Sequence, residues 1–232
     1  MPTAVRAAAS RAPTGIEDVA RRARELRLMG WVRAGPDEGL LLHAEGDPAA
    51  IETLLEEFGA VESEPARVEG HEQFAIRGVP AGVFVVQEHQ ATAHHFDLRL
   101  EVNGVMRSWA VPKGPSMDPS VKRLAVQVED HAFSHNDYEG DRVIVWDRGV
   151  YEQGGRVPWP AALERGHAVF VLHGEKLSGG FALQRTRGGA KAQWLLIKRR
   201  DEYSRAGSDI VAERPASVLS DRTLGLDGGP QG

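Results

Sequence analysis

The 232-residue chain contains no cysteine. Disulfides, thiolate nucleophiles and sulfur-ligated zinc are therefore excluded, and any transition metal must rely on histidine and carboxylates. No apolar run approaches the roughly 20 residues of a membrane span. The N-terminus also lacks the apolar core of a signal peptide, so a cytoplasmic location and no membrane partner are expected. An excess of positive charge is missing as well: the formal net charge is −5. Taken whole, that argues against a nucleic-acid binder.

The charge is unevenly spread. Residues 1–80 hold nine Arg, no Lys and fourteen acids, a net of −5. Residues 81–205 hold twelve Arg and five Lys against fifteen acids, a net of +2. The remainder, from Ala206, holds two Arg and four acids, a net of −2. Five of the nine histidines (His89, His94, His95, His131 and His135) fall in the central segment between positions 89 and 135. The final segment is rich in Gly, Ser, Asp and Pro, lacks periodicity and ends Gly-Gly-Pro-Gln-Gly, which predicts a disordered tail over 206–232.

The first eighty residues read as a small α/β module. A strand fits Ala4-Val5-Arg6, and a helix fits Ile16 to Leu28 with Val19, Ala20, Ala23 and Leu26 at helical spacing. Strands follow from Gly30 and over Leu40 to Ala44, separated by the turn Gly35-Pro36-Asp37-Glu38-Gly39. Asp47-Pro48 is an N-cap with proline at the first helical position, opening a helix through Ile51, Leu54, Leu55 and Phe58. Phe74 to Arg77 is expected to be the last strand, giving the ferredoxin-like order βαββαβ.

Arg24 to Val32 followed by Ala44-Glu-Gly-Asp-Pro48 resembles the acylphosphatase family, across most of residues 4–77. That family hydrolyses acyl phosphates with an Arg in a phosphate-cradling loop and an Asn beyond the Trp-Val strand. By motif these positions fall on Ile16 and Ala34, and the loop is replaced by Ser10-Arg11-Ala12-Pro13-Thr14-Gly15. The resemblance thus implies a module over 1–79 without the family's catalytic side chains, expected to serve a structural or partner-binding role.

Residues 80–205 are expected to form an all-β small barrel, with many short strands between Gly and Pro turns. Phe96, Leu98, Leu100 and Val102 share one parity, and His95, Asp97, Arg99 and Glu101 the other. Asn103-Gly104 predicts a two-residue hairpin returning through Val105 to Val111. The rigid turn Pro112-Lys113-Gly114-Pro115 follows. A strand from Arg123 to His131 would set Arg123, Gln127, Glu129 and His131 on one face. Further strands fit Val143 to Trp146, Ala168 to His173, Phe181 to Arg185 and Trp194 to Lys198. Polar groups of this kind are costly inside a barrel unless paired or metal-bound. His95 and Asp97 are neighbours on one strand, about 7 Å apart at Cα. His89 ends the preceding strand at the same rim. Two imidazoles and a carboxylate suit Mn²⁺, Fe²⁺ or Zn²⁺. Arg99 and His131 could meet an anion there; a facial-triad iron oxygenase built on His95, Asp97 and His131 fits equally well at this point.

The surrounding motifs, Phe84-Val-Val-Gln-x-His-x-Ala-Thr-x-x-His-Phe-Asp-Leu-Arg-Leu-Glu101, Ser108-Trp-Ala-Val-Pro-Lys-Gly-Pro-Ser116, Lys122-Arg-Leu-Ala-Val-x-Val-Glu-Asp-His131, Val143-Ile-Val-Trp-Asp147 and Trp194-Leu-Leu-Ile-Lys198, closely resemble the 3′-phosphoesterase domain of bacterial DNA ligase D. The resemblance spans about residues 83–204. It implies a manganese-dependent enzyme that trims 3′-phosphate or 3′-ribonucleotide ends of DNA. By motif, the metal ligands fall on His89, His95 and Asp97, and the phosphate-contacting residues on Arg99 and His131. Supporting polar residues fall on Ser108, Lys113, Arg123 and Glu129. Arg123 and Glu129 could equally form a structural ion pair. Three departures stand out. His135 occupies a position that is usually Tyr, the loop running into Val143 is short, and the family's N-terminal arm with its active-site histidine is replaced. His43 or His71 could substitute for that histidine, though a surface role is the plainer expectation. DNA or RNA–DNA 3′ ends are the implied partners, with ligase, polymerase or Ku-type functions supplied by separate chains. A non-hydrolytic end-binding or scaffold module, or a phosphodiesterase on another ester, are the competing readings.

Overall fold

The computed structural model describes residues 3–9, 15–35, 38–60 and 62–225. Residues 10–14, Pro36 and Asp37 of the expected turn, and the Gly-rich terminus lie outside the described residues. The chain divides into two units, Met1–Val79 with Gly154–Pro158, and Pro80–Gln153 with Trp159–Gly232.

In the first unit the order is β1 (Thr3–Ala9), α1 (Ile16–Glu25), β2 (Met29–Ala34), β3 (Leu40–Gly46), α2 (Pro48–Phe58), β4 (Glu62–Pro65) and β5 (Phe74–Arg77). The α1 residues Val19, Ala20 and Ala23 are buried, as their spacing requires. Asp47 caps α2, accepting the Ala49 and Ala50 amides at 3.0 and 3.2 Å, with Pro48 inside the start and Gly59 left-handed at the end. Both helices pack one face of a sheet ordered β4-β1-β3-β2-β5, over Val32, Leu42, Ala44, Leu54, Phe58 and Phe74. The expected closing strand, Phe74–Arg77, is instead a fifth strand, running parallel to β2. The strand that follows α2 is β4, which pairs antiparallel with β1 at the other edge. β4 is exposed along its whole length, so no apolar alternation announces it. Gly30 is obligatory: a Cβ there would lie 1.9 Å from the His43 carbonyl oxygen.

The second unit is a closed, all-antiparallel, eight-stranded barrel. Its strands are β6 (Gly82–Gln90), β7 (His94–Val102), β8 (Val105–Val111), β9 (Lys122–Gln127), β10 (Val143–Gln153), β11 (His167–Gly174), β12 (Ser178–Arg187) and β13 (Gln193–Lys198), with α3 (Ala161–Arg165) between β10 and β11. The order is β10-β11-β12-β13-β9-β8-β7-β6, closed by β6 against β10. Asn103 and Gly104 both take positive φ, 51° and 80°, which makes the predicted tight hairpin between β7 and β8. Aromatic rings fill the barrel: Phe96 meets Trp146, Trp109 meets Trp194, and Phe170 stacks on Phe181. Phe96, Leu98 and Trp109 thus mark the inward parity, and His95, Asp97, Arg99 and Ser108 occupy the outer wall.

The loose tail expected from Ala206 is not what residues 206–225 form. A short helix α4 (Ile210–Glu213) buries Ile210, and Val211 packs beside Gly114 and Phe96. The Trp146 indole and the Lys176 ammonium both donate to the Arg214 carbonyl, at 2.9 and 2.8 Å, and the Val218 amide donates to Val145. Isolated anchors and backbone hydrogen bonds hold this segment, which a search for periodicity does not detect. No helix among the described residues is long and apolar enough to cross a membrane.

Candidate metal and phosphate site

Cross-strand register builds the site. His89 on β6 pairs with His95 on β7, Gln87 with Asp97, and Arg99 with Ser108 on β8. Side chains of one parity thereby converge on a single patch of wall. The His89 and His95 rings lie 5.0 Å apart. His95 Nε2 is 3.5 Å from Asp97 Oδ1, and Asp97 Oδ2 is 3.7 Å from Arg99 Nη2. One ligand atom from each of His89, His95 and Asp97 lies within 4.8 Å of the other two. His95 Nδ1 faces the Ala93 carbonyl at 2.9 Å. A carbonyl only accepts, so Nδ1 carries a proton and Nε2 is the nitrogen turned toward Asp97.

The electrostatics follow from this packing. Burial works to raise the Asp97 carboxyl, but His95, Arg99 and His89 together hold it below its ordinary range. The contact with Asp97 raises His95 against its burial. Burial first, then the His95 charge, lowers His89. Arg99 is the unusual member. Its side chain is 7% exposed, its Asp97 contact is long, and its Nε and Nη1 atoms are buried without a hydrogen-bond partner. Arginine does not escape this by losing its proton. Two unpaired, charged donors in a buried fork beside three metal-ligand atoms form a receptor for an oxyanion.

His131 reaches the same patch by another route. An isolated antiparallel bridge pairs it with Met106, and its Nδ1 lies 3.1 Å from Ser108 Oγ, which itself donates to the Met106 carbonyl at 2.9 Å. Ser108 has a single proton, so His131 Nδ1 is the donor between them. Burial, reinforced by the Arg99 charge, lowers the His131 pKa. His135, exposed in a single 3₁₀ turn (Phe133–His135), sits with its ring 6.2 Å from that of His131. Gln87 holds this turn, donating from Nε2 to the His135 and Tyr138 carbonyls at 2.9 Å each. Sequence reasoning gave Gln87 no role; its i,i+2 relation to His89 was the available signal.

Two expected members are not brought in. β9 ends at Gln127, so the parity from Arg123 does not carry through to His131. Arg123 shares its parity with Ala125, which pairs with the inward Trp194, whereas Arg99 and Ser108 face outward. Among the described residues no ion pair joins Arg123 to Glu129, and the Arg123 Nε is buried without a partner. Lys113 is exposed beyond the end of β8, at the rim where Val111 pairs with Phe96, and makes no hydrogen bond or ion pair among the described residues. His43 and His71, expected at the surface, are 0% and 6% exposed and belong to the first unit. The sheet and the loop after β4 cover them, which local sequence does not reveal.

Residues 87–185 match the family model described as the DNA Ligase D 3′-phosphoesterase domain, and residues 17–79 match that of acylphosphatase. The "Multifunctional non-homologous end joining protein LigD" of Pseudomonas aeruginosa is 49% identical over 154 residues, covering 61% of this chain and 18% of that protein. The "Multifunctional non-homologous end joining DNA repair protein LigD" of Mycobacterium tuberculosis is 38% identical over 128 residues, covering 51% of this chain and 16% of that protein. The chain thus spans less than a fifth of the length of these curated relatives. A solved acylphosphatase from Coxiella burnetii is 27% identical over 33% of this chain and 93% of its own, with a TM-score of 0.30. The barrel that carries the His89, His95, Asp97 and Arg99 patch is, over residues 87–185, similar to DNA ligase D 3′-phosphoesterase domains.

Proposed function

We propose that this chain is a divalent-metal-dependent phosphoesterase that removes 3′-phosphate or 3′-ribonucleotide groups from DNA or RNA–DNA ends. The observation that carries the reading is Arg99, buried with two unpaired donors directly beside the His89, His95 and Asp97 ligand atoms. His95, with Nδ1 tied to Ala93, and an ionised Asp97 fit a transition metal such as Mn²⁺. When bound there, the metal supplies Lewis-acid polarisation of a phosphate oxygen and an acidified water.

The chain's own groups do the rest. The Arg99 fork binds non-bridging phosphate oxygens and stabilises the charge that grows on them. His131, neutral in the free protein and aimed by Ser108, presents its Nε2 lone pair as a base that takes the proton of the attacking water. His135 flanks the mouth, and Lys113 at the rim attracts the nucleic-acid backbone. Partner ligase, polymerase or Ku-type proteins would complete repair.

The test is a primer–template ending in 3′-phosphate or a 3′-ribonucleotide, incubated with pure protein and a panel of Mn²⁺, Co²⁺, Zn²⁺ and Mg²⁺. A 3′-hydroxyl product that appears with Mn²⁺ and vanishes in His95→Ala is expected. End binding without turnover, unaffected by metal or by His95→Ala, would establish the scaffold reading instead.

A further inference from the structure

The sheet of the first unit has a face the helices leave uncovered. Val32, Leu42 and Ala44 point into the helix-packed core, so the alternate residues Trp31, His43 and Glu45 lie on the other side. Polar groups there would ordinarily be wet, yet His43 is 0% and Glu45 4% exposed. The stretch 69–71 is clamped over them. The Glu45 carboxylate accepts the backbone amides of Glu69, Gly70 and His71 at 2.5, 3.0 and 3.1 Å, and His43 Nε2 lies 2.8 Å from its Oε1. Burial works to raise Glu45, but these donors keep it ionised.

An ionised carboxylate can only accept, so the His43 proton resides on Nε2 and Nδ1 is a bare lone pair. That Nδ1 is buried and has no hydrogen-bond partner. His43, Glu69 and His71 each offer one ligand atom within 4.8 Å of the other two. The His71 side chain is 1% exposed, with Nε2 3.1 Å from Glu69 Oε2. Burial is the largest influence on His71 and holds it below its ordinary pKa, against the pull of Glu69 and Glu45 and with the push of Arg77. Glu69 also meets the exposed Arg6, through its other oxygen, Oε1, at 3.3 Å. The His43 and His71 rings lie 5.6 Å apart. A carboxylate fixing one nitrogen of an imidazole that stands beside a second imidazole and a carboxylate is the outer-sphere arrangement of metal-bound histidine.

We propose that His43, Glu69 and His71 form a second divalent-metal site, of the zinc class, with Glu45 as its orienting carboxylate. With both imidazoles buried and Glu45 saturated by donors, the role is structural: the metal fastens the stretch 69–71 to β3.

The test uses the full chain, with His89→Ala/His95→Ala removing the barrel ligands. Zinc bound after dialysis is counted by elemental analysis, and Co²⁺ substitution gives a visible spectrum for the same site. The wild type is expected to hold two equivalents and the double variant one. Adding Glu69→Gln or His71→Gln, each retaining hydrogen-bonding capacity, weakens that equivalent by roughly ten-fold or more. Zinc raises the melting temperature of the double variant and no longer does so in the triple variants. A folded double variant that binds no zinc overturns the proposal, as does one whose zinc survives both Gln substitutions unchanged. The barrel reading fails separately: one equivalent in the wild type, lost on Glu69→Gln and indifferent to His95→Ala.

Discussion

Two clusters in this molecule contain the same side chains, two imidazoles and a carboxylate, and differ in everything around them. The barrel cluster lies on an outer wall, His95 is 21% exposed at its side chain, and a buried arginine with unused donors stands alongside. In the α/β unit the two imidazoles are dry, Glu69 is partly exposed, and the neighbouring carboxylate Glu45 has every donor it can accept. Identical ligand chemistry therefore supports opposite assignments. A ligand set beside unpaired positive charge suits an incoming phosphate, whereas one whose neighbouring carboxylate is satisfied suits a fastening. The discriminating quantity is the hydrogen-bond account of the neighbours, not the identity of the ligands.

The sharpest way to break the contrast is to remove a ligand from each side. His95→Ala should abolish detectable 3′-end turnover while leaving the fold intact, since its ring stands at the barrel surface, partly in solvent. His71→Ala should leave turnover per folded molecule near wild type and lower stability. Activity assays paired with thermal denaturation read both. Equal loss of activity in the two variants would dissolve the distinction. Next in size is Arg99→Gln, which keeps bulk and some hydrogen bonding but discards the charged fork. A loss of about 10²–10³ in kcat is expected, the magnitude for a donor that serves developing oxyanion charge. If Arg99 were a scaffold cation, the variant would be more stable and fully active, because a buried unpaired charge is itself costly.

A carboxylate outside both clusters provides a control. Asp147 sits inside the barrel at 0% exposure, accepting the Lys176 and Leu177 amides at 3.0 and 2.8 Å. Burial dominates here and pushes its pKa up to about 6, opposite in direction to Asp97. A folded value above the unfolded one means the stabilisation is complete below about pH 4 and is lost as pH rises through 6. Relative to Asp147→Asn, the wild type should therefore lose on the order of 3 kcal/mol between pH 4 and 7, about two units at 1.36 kcal/mol each. Lys176, lowered to about 8, stays largely charged across that window and adds little slope. Urea titrations of both proteins at four pH values measure it; parallel stability curves would show Asp147 to be ionised and harmless, like Asp97.

Much of the barrel site was legible because it is local. His89, His95, Asp97 and Arg99 span eleven residues across one hairpin, and a period of two sets their common face. What could not be read depends on longer connections. The strand from Arg123 was extended to His131 because alternation continues in the letters, whereas β9 stops at Gln127 and His131 arrives through a separate bridge to Met106. β4 is a polar edge strand with no pattern to announce it. His43 and His71 stand twenty-eight positions apart, and only the loop clamped by Glu45 brings them together. The segment after Ala206 resembles a tail because two of its three anchors, Arg214 and Val218, act through backbone atoms, which side-chain patterning does not reveal.

The smallest effect tests the finest feature of the barrel site, the aim of His131. Ser108 is fully buried and spends its only proton on the Met106 carbonyl, so it can serve His131 solely as an acceptor. That fixes the proton on Nδ1 and leaves the lone pair on Nε2. Ser108→Ala removes the acceptor without opening space or touching a metal ligand. The imidazole is then free to exchange tautomers, and only one of them presents the Nε2 lone pair to the attacking water. A fall in kcat of about ten-fold is expected, the scale for losing an orienting partner. KM and metal stoichiometry should stay unchanged, and the acidic limb of the kcat–pH profile should move. If kcat and its pH profile match the wild type, His131 does not move the proton. The barrel cluster would then act through Arg99 and the metal alone, drawing its chemistry closer to that of its buried counterpart.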